Sequence, residues 1–195
     1  SFSEACSWKS RMKDILAKYT GKSLPKAIIL LGQEAWTSYL SQDSLTSFHI
    51  PIIGGMVSRN AVLLPEDGTD LENWESESVD VVNDSLKNFR ILGFAYEYDV
   101  EKNIELILDF YPDTKHIAFI SDNSYGGVSL QALVKEEMRE KYPDLDLILL
   151  DGRKHTVYSI TEKISTLPEK TAILLGTWRV DKNDGYFMRN ATYAM

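Results

Sequence analysis

Two short segments concentrate side chains able to grip a ligand. Ser121-Asp122-Asn123-Ser124-Tyr125-Gly126-Gly127 offers hydroxyls, an amide, a carboxylate and a phenol beside two glycines. At the start of a helix such a loop presents free backbone amides, which suits an anionic or hydroxyl-rich ligand. The same residues also suit plain capping, with Asp122 or Ser124 closing the helix start. Gly176-Thr177-Trp178-Arg179 puts an indole beside a guanidinium. An exposed Trp178 would stack on a sugar or planar ring while Arg179 forks a carboxylate. The competing reading packs Trp178 on a neighbouring helix and pairs Arg179 with Asp181. A third group comprises Gln33-Glu34-Ala35-Trp36, the run Gly54 to Asn60 containing Ser58 and Arg59, and Tyr96-Glu97-Tyr98. Here Glu34 equally suits a first-turn helix acid, and Met56 a core position. The candidate ligand contacts are therefore Gln33, Glu34, Ser58, Arg59, Tyr96, Tyr98, Asp122, Asn123, Tyr125, Thr177, Trp178 and Arg179.

What places these residues together is a repeated pattern. Apolar runs at Ala27 to Leu31, Ile117 to Ile120, Leu147 to Leu150 and Ala172 to Leu175 each stop in a polar or glycine-bearing loop. Runs of this length read as strands of a parallel sheet buried on both faces. In such sheets ligands bind beyond the carboxyl ends of the strands. A further strand is expected at Ile50 to Ile53, ending in the Gly54 to Asn60 loop. Helices are expected from Glu4 to Tyr19 (Trp8, Met12, Ile15, Leu16 and Tyr19 on one face, Thr20-Gly21 closing it) and from Glu34 to Leu40. A third runs from Asp99, its N-cap, to Pro112, with Val100, Ile104, Ile107, Leu108 and Tyr111 inward. Others start near Val128 and at the N-cap Thr156, the latter burying Val157, Ile160, Ile164 and Leu167. Leu64 to Asn88 reads as a long surface excursion, helical in part near Val79 to Leu86. Phe89 to Tyr98 reads as a run that pairs or crosses over, and Asp151-Gly152-Arg153 as an ordinary turn.

The alternation of strands and helices predicts an α/β fold with right-handed crossovers. Its expected form is two Rossmann-like or flavodoxin-like lobes with parallel sheets, an incomplete first lobe at 1–92 and a second at 93–195. The chain starts in a helix with no strand before it. It ends in Asp184 to Met195, which reads as a helix bearing Phe187, Ala191 and Tyr193-Ala194. A βα unit normally returns to another strand, so the expectation is a fold cut at both ends.

Composition narrows the function classes. A formal net charge of -8 over 195 residues argues against a nucleic-acid partner, which calls for a basic face. The single Cys6 excludes an internal disulfide and a cysteine-based zinc site. Asp181, Asn183 and Gly185 lack the sixth-position glycine and twelfth-position glutamate of a calcium loop. His49, His116 and His155 sit at turn, strand or cap positions, and no nucleophile elbow, phosphate loop or dinucleotide glycine triplet is present. No catalytic role, metal or cofactor is expected for this segment.

The segment Gly93 to Leu106, continuing through Tyr111-Pro112-Asp113-Thr114-Lys115-His116-Ile117-Ala118-Phe119-Ile120, resembles the crossover into the second lobe of ABC-type substrate-binding proteins with the type I periplasmic-binding fold. Ile173-Leu174-Leu175-Gly176-Thr177-Trp178-Arg179-Val180-Asp181-Lys182-Asn183-Asp184-Gly185 is similar to the extracytoplasmic sensor regions of Bacteroides-type membrane histidine kinases, hybrid two-component sensors included. The resemblance covers the chain from about Trp8 onward. It implies a periplasmic domain of an inner-membrane protein that binds a small solute between two lobes and signals to a cytoplasmic kinase core outside these residues. Aromatic, hydroxyl and amide residues fit a carbohydrate or an aromatic acid. Two readings of other classes stand beside it: a homodimerising structural module without a ligand, and an α/β enzyme lobe.

Overall fold

All four apolar runs become strands. The computed structural model describes residues 1–19, 23–42, 50–83 and 91–187, and the elements are β1 Ile28–Leu31, β2 Ile52–Ser58, β3 Asn60–Ala61, β4 Val79–Asp80, β5 Ile91–Tyr96, β6 His116–Ser121, β7 Asp146–Asp151 and β8 Thr171–Leu175. The α-helices are α1 Ala5–Ala17, α2 Gln33–Leu40, α3 Val100–Phe110, α4 Tyr125–Lys141 and α5 Val157–Ser165. The fold is mixed α/β with two parallel three-stranded sheets, ordered β1-β2-β5 and β7-β6-β8. β3 and β4 form a small antiparallel pair.

The chain divides into two units. The first comprises Ser3–Asp70 and Ser76–Tyr98, the second Ser1–Phe2, Leu71–Glu75 and Asp99–Met195. β5, which spans the expected boundary at residues 92 and 93, bonds along β2.

In the first unit α1 and α2 cover one face of the sheet. Trp36, Tyr39 and Leu40 of α2 pack on Leu30, Ile52 and Val57, with Met12 and Leu16 of α1 against them. Ile15 and Tyr19, expected inward, are about half exposed. Ala61 and Val81, from the connection between β2 and β5, join the same cluster. That placement follows from handedness. Right-handed crossovers that advance in one direction, β1 to β2 to β5, all fall on one face. The opposite face therefore keeps its apolar residues exposed, contrary to the expectation of burial on both faces.

The second unit reverses direction after β7, so its connections fall on both faces. Ile117 and Phe119 of β6 pack under α3 and α4, whereas Ala118 and Ile120 pack under α5. Asp99 caps α3 by accepting from the Lys102 amide, and Thr156 caps α5 in a reciprocal box with Ser159. Of the expected α3 stripe, Val100 and Ile104 are buried while Tyr111 is exposed.

Other expectations are corrected. β2 does not stop at Ile53 but continues to Ser58. Glycines face each other across β2 and β5 where the backbones are crowded: a Cβ on Gly93 of β5, at φ +139°, would lie 2.0 Å from the oxygen of Gly54 in β2. Met56, at φ 57°, marks the bulge that follows. Val79–Asp80 is strand, 81–83 is turn, and the rest of the expected helix there lies outside the described residues. Asp184 to Phe187 is not helical, since Tyr186 bridges to Val180 and Phe187 packs against the α5 core. Positions 188–195, His49 and Thr20-Gly21 lie outside the described residues.

Candidate functional site

The twelve candidate residues fall into two groups of six, one at the carboxyl edge of each sheet. The groups differ in chemistry.

At the second unit's edge the polar groups satisfy one another. Asp122, fully buried, accepts at Oδ2 from the Arg179 amide at 2.8 Å and Thr177 Oγ1 at 3.2 Å, and at Oδ1 from the Ser124 amide and hydroxyl at 3.1 and 2.5 Å. Ser124 caps α4 through the Gly127 amide. α4 thus begins at Tyr125, three residues before the expected start. Gly127 is obligatory here, because a Cβ would lie 2.4 Å from the Asp122 carbonyl. Asn123 bonds through its amide to the Val180 carbonyl at 2.8 Å and through its side chain to the Asp181 carbonyl. Asp181 is buried and accepts from the amides of Val157, Asn183 and Gly185, so the expected surface pair with Arg179 does not form. Arg179 is exposed, and Trp178 is buried in the α5 core rather than presented for stacking. Tyr125 is buried too, its ring beside Phe2, which stacks on Trp74 at 5.7 Å.

A feature missed in the sequence closes this edge further. Asp151 and Arg153, expected to form an ordinary turn, make a buried ion pair: Nη2 to Oδ2 at 2.7 Å and Nε to the same oxygen at 3.0 Å. Arg153 Nη1 donates to the carbonyls of Leu71 and Trp74 at 3.1 and 2.8 Å. Gln131 joins Ser121 to Asp151, donating to the carboxylate and accepting from the hydroxyl. Lys182 to Glu72 and Lys135 to Glu75 add outer ion pairs to the same five-residue strap, 71–75. An apolar Leu71 and Trp74 amid acids, and an Asp two residues before an Arg, were the available signals.

The first unit's edge is left open. Gly32, at φ 85°, turns the chain from β1 into α2 with no side chain capping the helix. The first amides of α2 therefore keep their hydrogens for another acceptor. Gln33 Nε2 donates to the Tyr96 hydroxyl at 2.7 Å. That bond joins the start of α2 to the end of β5, and β2, between β1 and β5, carries Ser58 in register with Tyr96. Ser58 is 2% exposed, yet its Oγ has no partner among the described residues, and neither does Gln33 Oε1. Tyr98 meets Tyr96 edge-on at 5.5 Å, and both rings are more than 40% exposed. Glu34 is exposed in the first turn.

Arg59 is held away from any free anion. Its Nη2 lies 2.9 Å from Asp80 and its Nη1 2.5 Å from Glu97, and these hydrogen bonds, Asp80's first, push its pKa further up. Burial pushes the Asp80 carboxyl up, but hydrogen bonds from Arg59 and the amides of Asn83 and Val82 outweigh it and hold the pKa below the usual range. Asp80 and Glu97 hold the Arg59 guanidinium and Glu34 lies in the first turn of α2, so these four residues carry net negative charge. The edge presents two exposed tyrosines and backbone donors, and behind them a hydroxyl and an amide oxygen that are buried without a partner among the described residues. Such a set recognises a neutral, hydroxyl-rich molecule better than a carboxylate.

Among the described residues no three His, Cys, Asp or Glu side chains converge to hold a metal ion, and no helix is long and apolar enough to cross a membrane. No protein-family model, curated protein or solved structure matches the chain.

Proposed function

We propose that the chain binds a small neutral polyhydroxylated solute, a carbohydrate rather than an aromatic acid, at the carboxyl edge of the first unit's sheet. The observation that carries this reading is Ser58 Oγ, buried without a partner among the described residues, on the strand between β1 and β5 and in register with Tyr96 of the Gln33–Tyr96 bond. A buried hydroxyl without a partner costs free energy that a ligand hydroxyl would recover. Tyr96 and Tyr98 supply rings on which a sugar face stacks. The net negative surroundings disfavour an acid.

The wider setting is an extracytoplasmic sensor of a membrane histidine kinase, with type I binding-protein-like lobes. Two parallel α/β units and the sequence resemblance support it. The chain itself is then a binding domain without catalysis. Calorimetric titration with neutral mono- and oligosaccharides and with aromatic carboxylates tests the site. Sugar binding that Tyr96→Phe weakens supports it, whereas binding only of carboxylates, or binding indifferent to Tyr96, defeats it. Solute-dependent phosphorylation of the full-length protein in vesicles tests the setting.

A further inference from the structure

Among the described residues, one face of the first unit's sheet has no cover. Ile29 of β1, Ile53 of β2 and Leu92 of β5 are in register across the three strands and are 64%, 38% and 65% exposed. Side chains alternate along a strand, so Leu31 and Phe94, two residues on, share that face at 67% and 91% exposed. Leu31 lies over Gly55, whose added Cβ would meet it at 3.1 Å, and Met56 stands beside them at the bulge, 78% exposed. The core packs on the opposite face, and the connections from β1 to β2 and from β2 to β5 contribute to that core.

The size of this surface is informative. With roughly 200 Å² for each fully exposed large apolar residue, these exposures sum to on the order of 800 Å². The largest apolar patch on an ordinary monomer is about 300–600 Å², whereas a stable protein interface takes about 800 Å² from each partner. The six side chains include no charge and no hydrogen-bonding group that would select a different protein. Homodimer interfaces are the more apolar class, and a two-fold axis lays such a face on its own copy with nothing repelled.

We infer that this face is a homodimer interface, with the two sheets packed face to face through Ile29, Leu31, Ile53, Leu92 and Phe94. The inference is independent of the ligand proposed above, because it uses a sheet face and not the strand ends. Analytical ultracentrifugation of the chain from about 1 to about 100 µM should find a dimer. Phe94→Glu and, separately, Leu31→Lys should each weaken dimerisation about tenfold or more with circular dichroism unchanged, since both side chains lie on the surface. With Cys6→Ser in place, Leu92→Cys should cross-link between copies with a short bismaleimide. A wild-type chain monomeric throughout that range overturns the inference, as does a dimer that neither charge weakens.

Discussion

The two units have sheets of the same size and strand direction, yet they use their carboxyl edges in opposite ways. At the second unit's edge Asp122, Asn123, Asp151 and Arg153 are buried in hydrogen bonds, and Phe2, stacked on Trp74, lies beside Tyr125. At the first unit's edge Ser58 Oγ and Gln33 Oε1 are buried without partners among the described residues, and no side chain caps the α2 start. A polar strand end is therefore not by itself a binding site. Hydrogen-bonding capacity is left for a ligand only where it is not already consumed by the chain itself. The sheet faces differ as well: reversal after β7 covers both in the second unit, whereas one-way order in the first covers one.

The comparison breaks most visibly at Arg153. Arg153→Ala leaves the Asp151 carboxylate buried and unpaired and two strap carbonyls unbonded, so urea unfolding should register a loss of about 3–5 kcal/mol. The 71–75 strap should also become sensitive to protease. A loss below about 1 kcal/mol would mean that the second edge is not held closed in this way. Asp122→Ala should cost about 3 kcal/mol by the same measurement, because the Arg179 amide, Thr177 and Ser124 lose their shared acceptor.

At the first edge the expected pattern is reversed, with affinity affected more than stability. Tyr96→Phe should lower sugar affinity about tenfold while stability changes by less than about 1 kcal/mol. Ser58→Ala should lower affinity about fivefold and leave the unliganded protein as stable or slightly more so, since it deletes a hydroxyl with no partner. A stability loss of several kcal/mol at Ser58 would place that hydroxyl in the same structural class as Asp122.

The smallest effect is on pH dependence. Burial first, then nearby Lys163, pushes the His155 imidazole below its ordinary pKa. The unfolded chain then binds this proton more readily, so the contribution is present above about pH 6.5 and lost as pH falls through the lower folded value. For Asp80, whose folded pKa is also lowered, the contribution is present above about pH 3.9 and disappears only as pH falls below that. Urea midpoints followed against pH should show a mildly acidic step that His155→Gln removes and a lower one that Asp80→Asn removes. If His155→Gln leaves the mildly acidic step in place, His155 is not its source.

Much of the fold was legible locally. Apolar runs four or five residues long marked β1, β6, β7 and β8, and the caps Asp99 and Thr156 marked α3 and α5. The extension of β2 was not legible, because Gly54-Gly55 reads as a turn until Gly93 and Trp36 are seen to need the space. Nor was the role of Asp151-Gly152-Arg153, whose partners Leu71 and Trp74 lie 82 and 79 residues away in sequence. The candidates at each edge lie at or just beyond strand ends, with Ser58 inside the extended β2 and not in the expected loop. Which edge remained open was hidden, because saturation of hydrogen bonds depends on residues distant in the chain.

The sequence by itself determined β1, β6, β7 and β8 and the capped starts of α3 and α5, since capping and apolar run length act within a few residues. The tertiary structure decided strand order, and with it that Ile29, Leu31, Ile53, Leu92 and Phe94 stay uncovered while Trp178 is buried. It also decided that Asp122 is consumed and Ser58 is not, because hydrogen-bond partners and solvent exclusion come from segments that meet only when the chain folds.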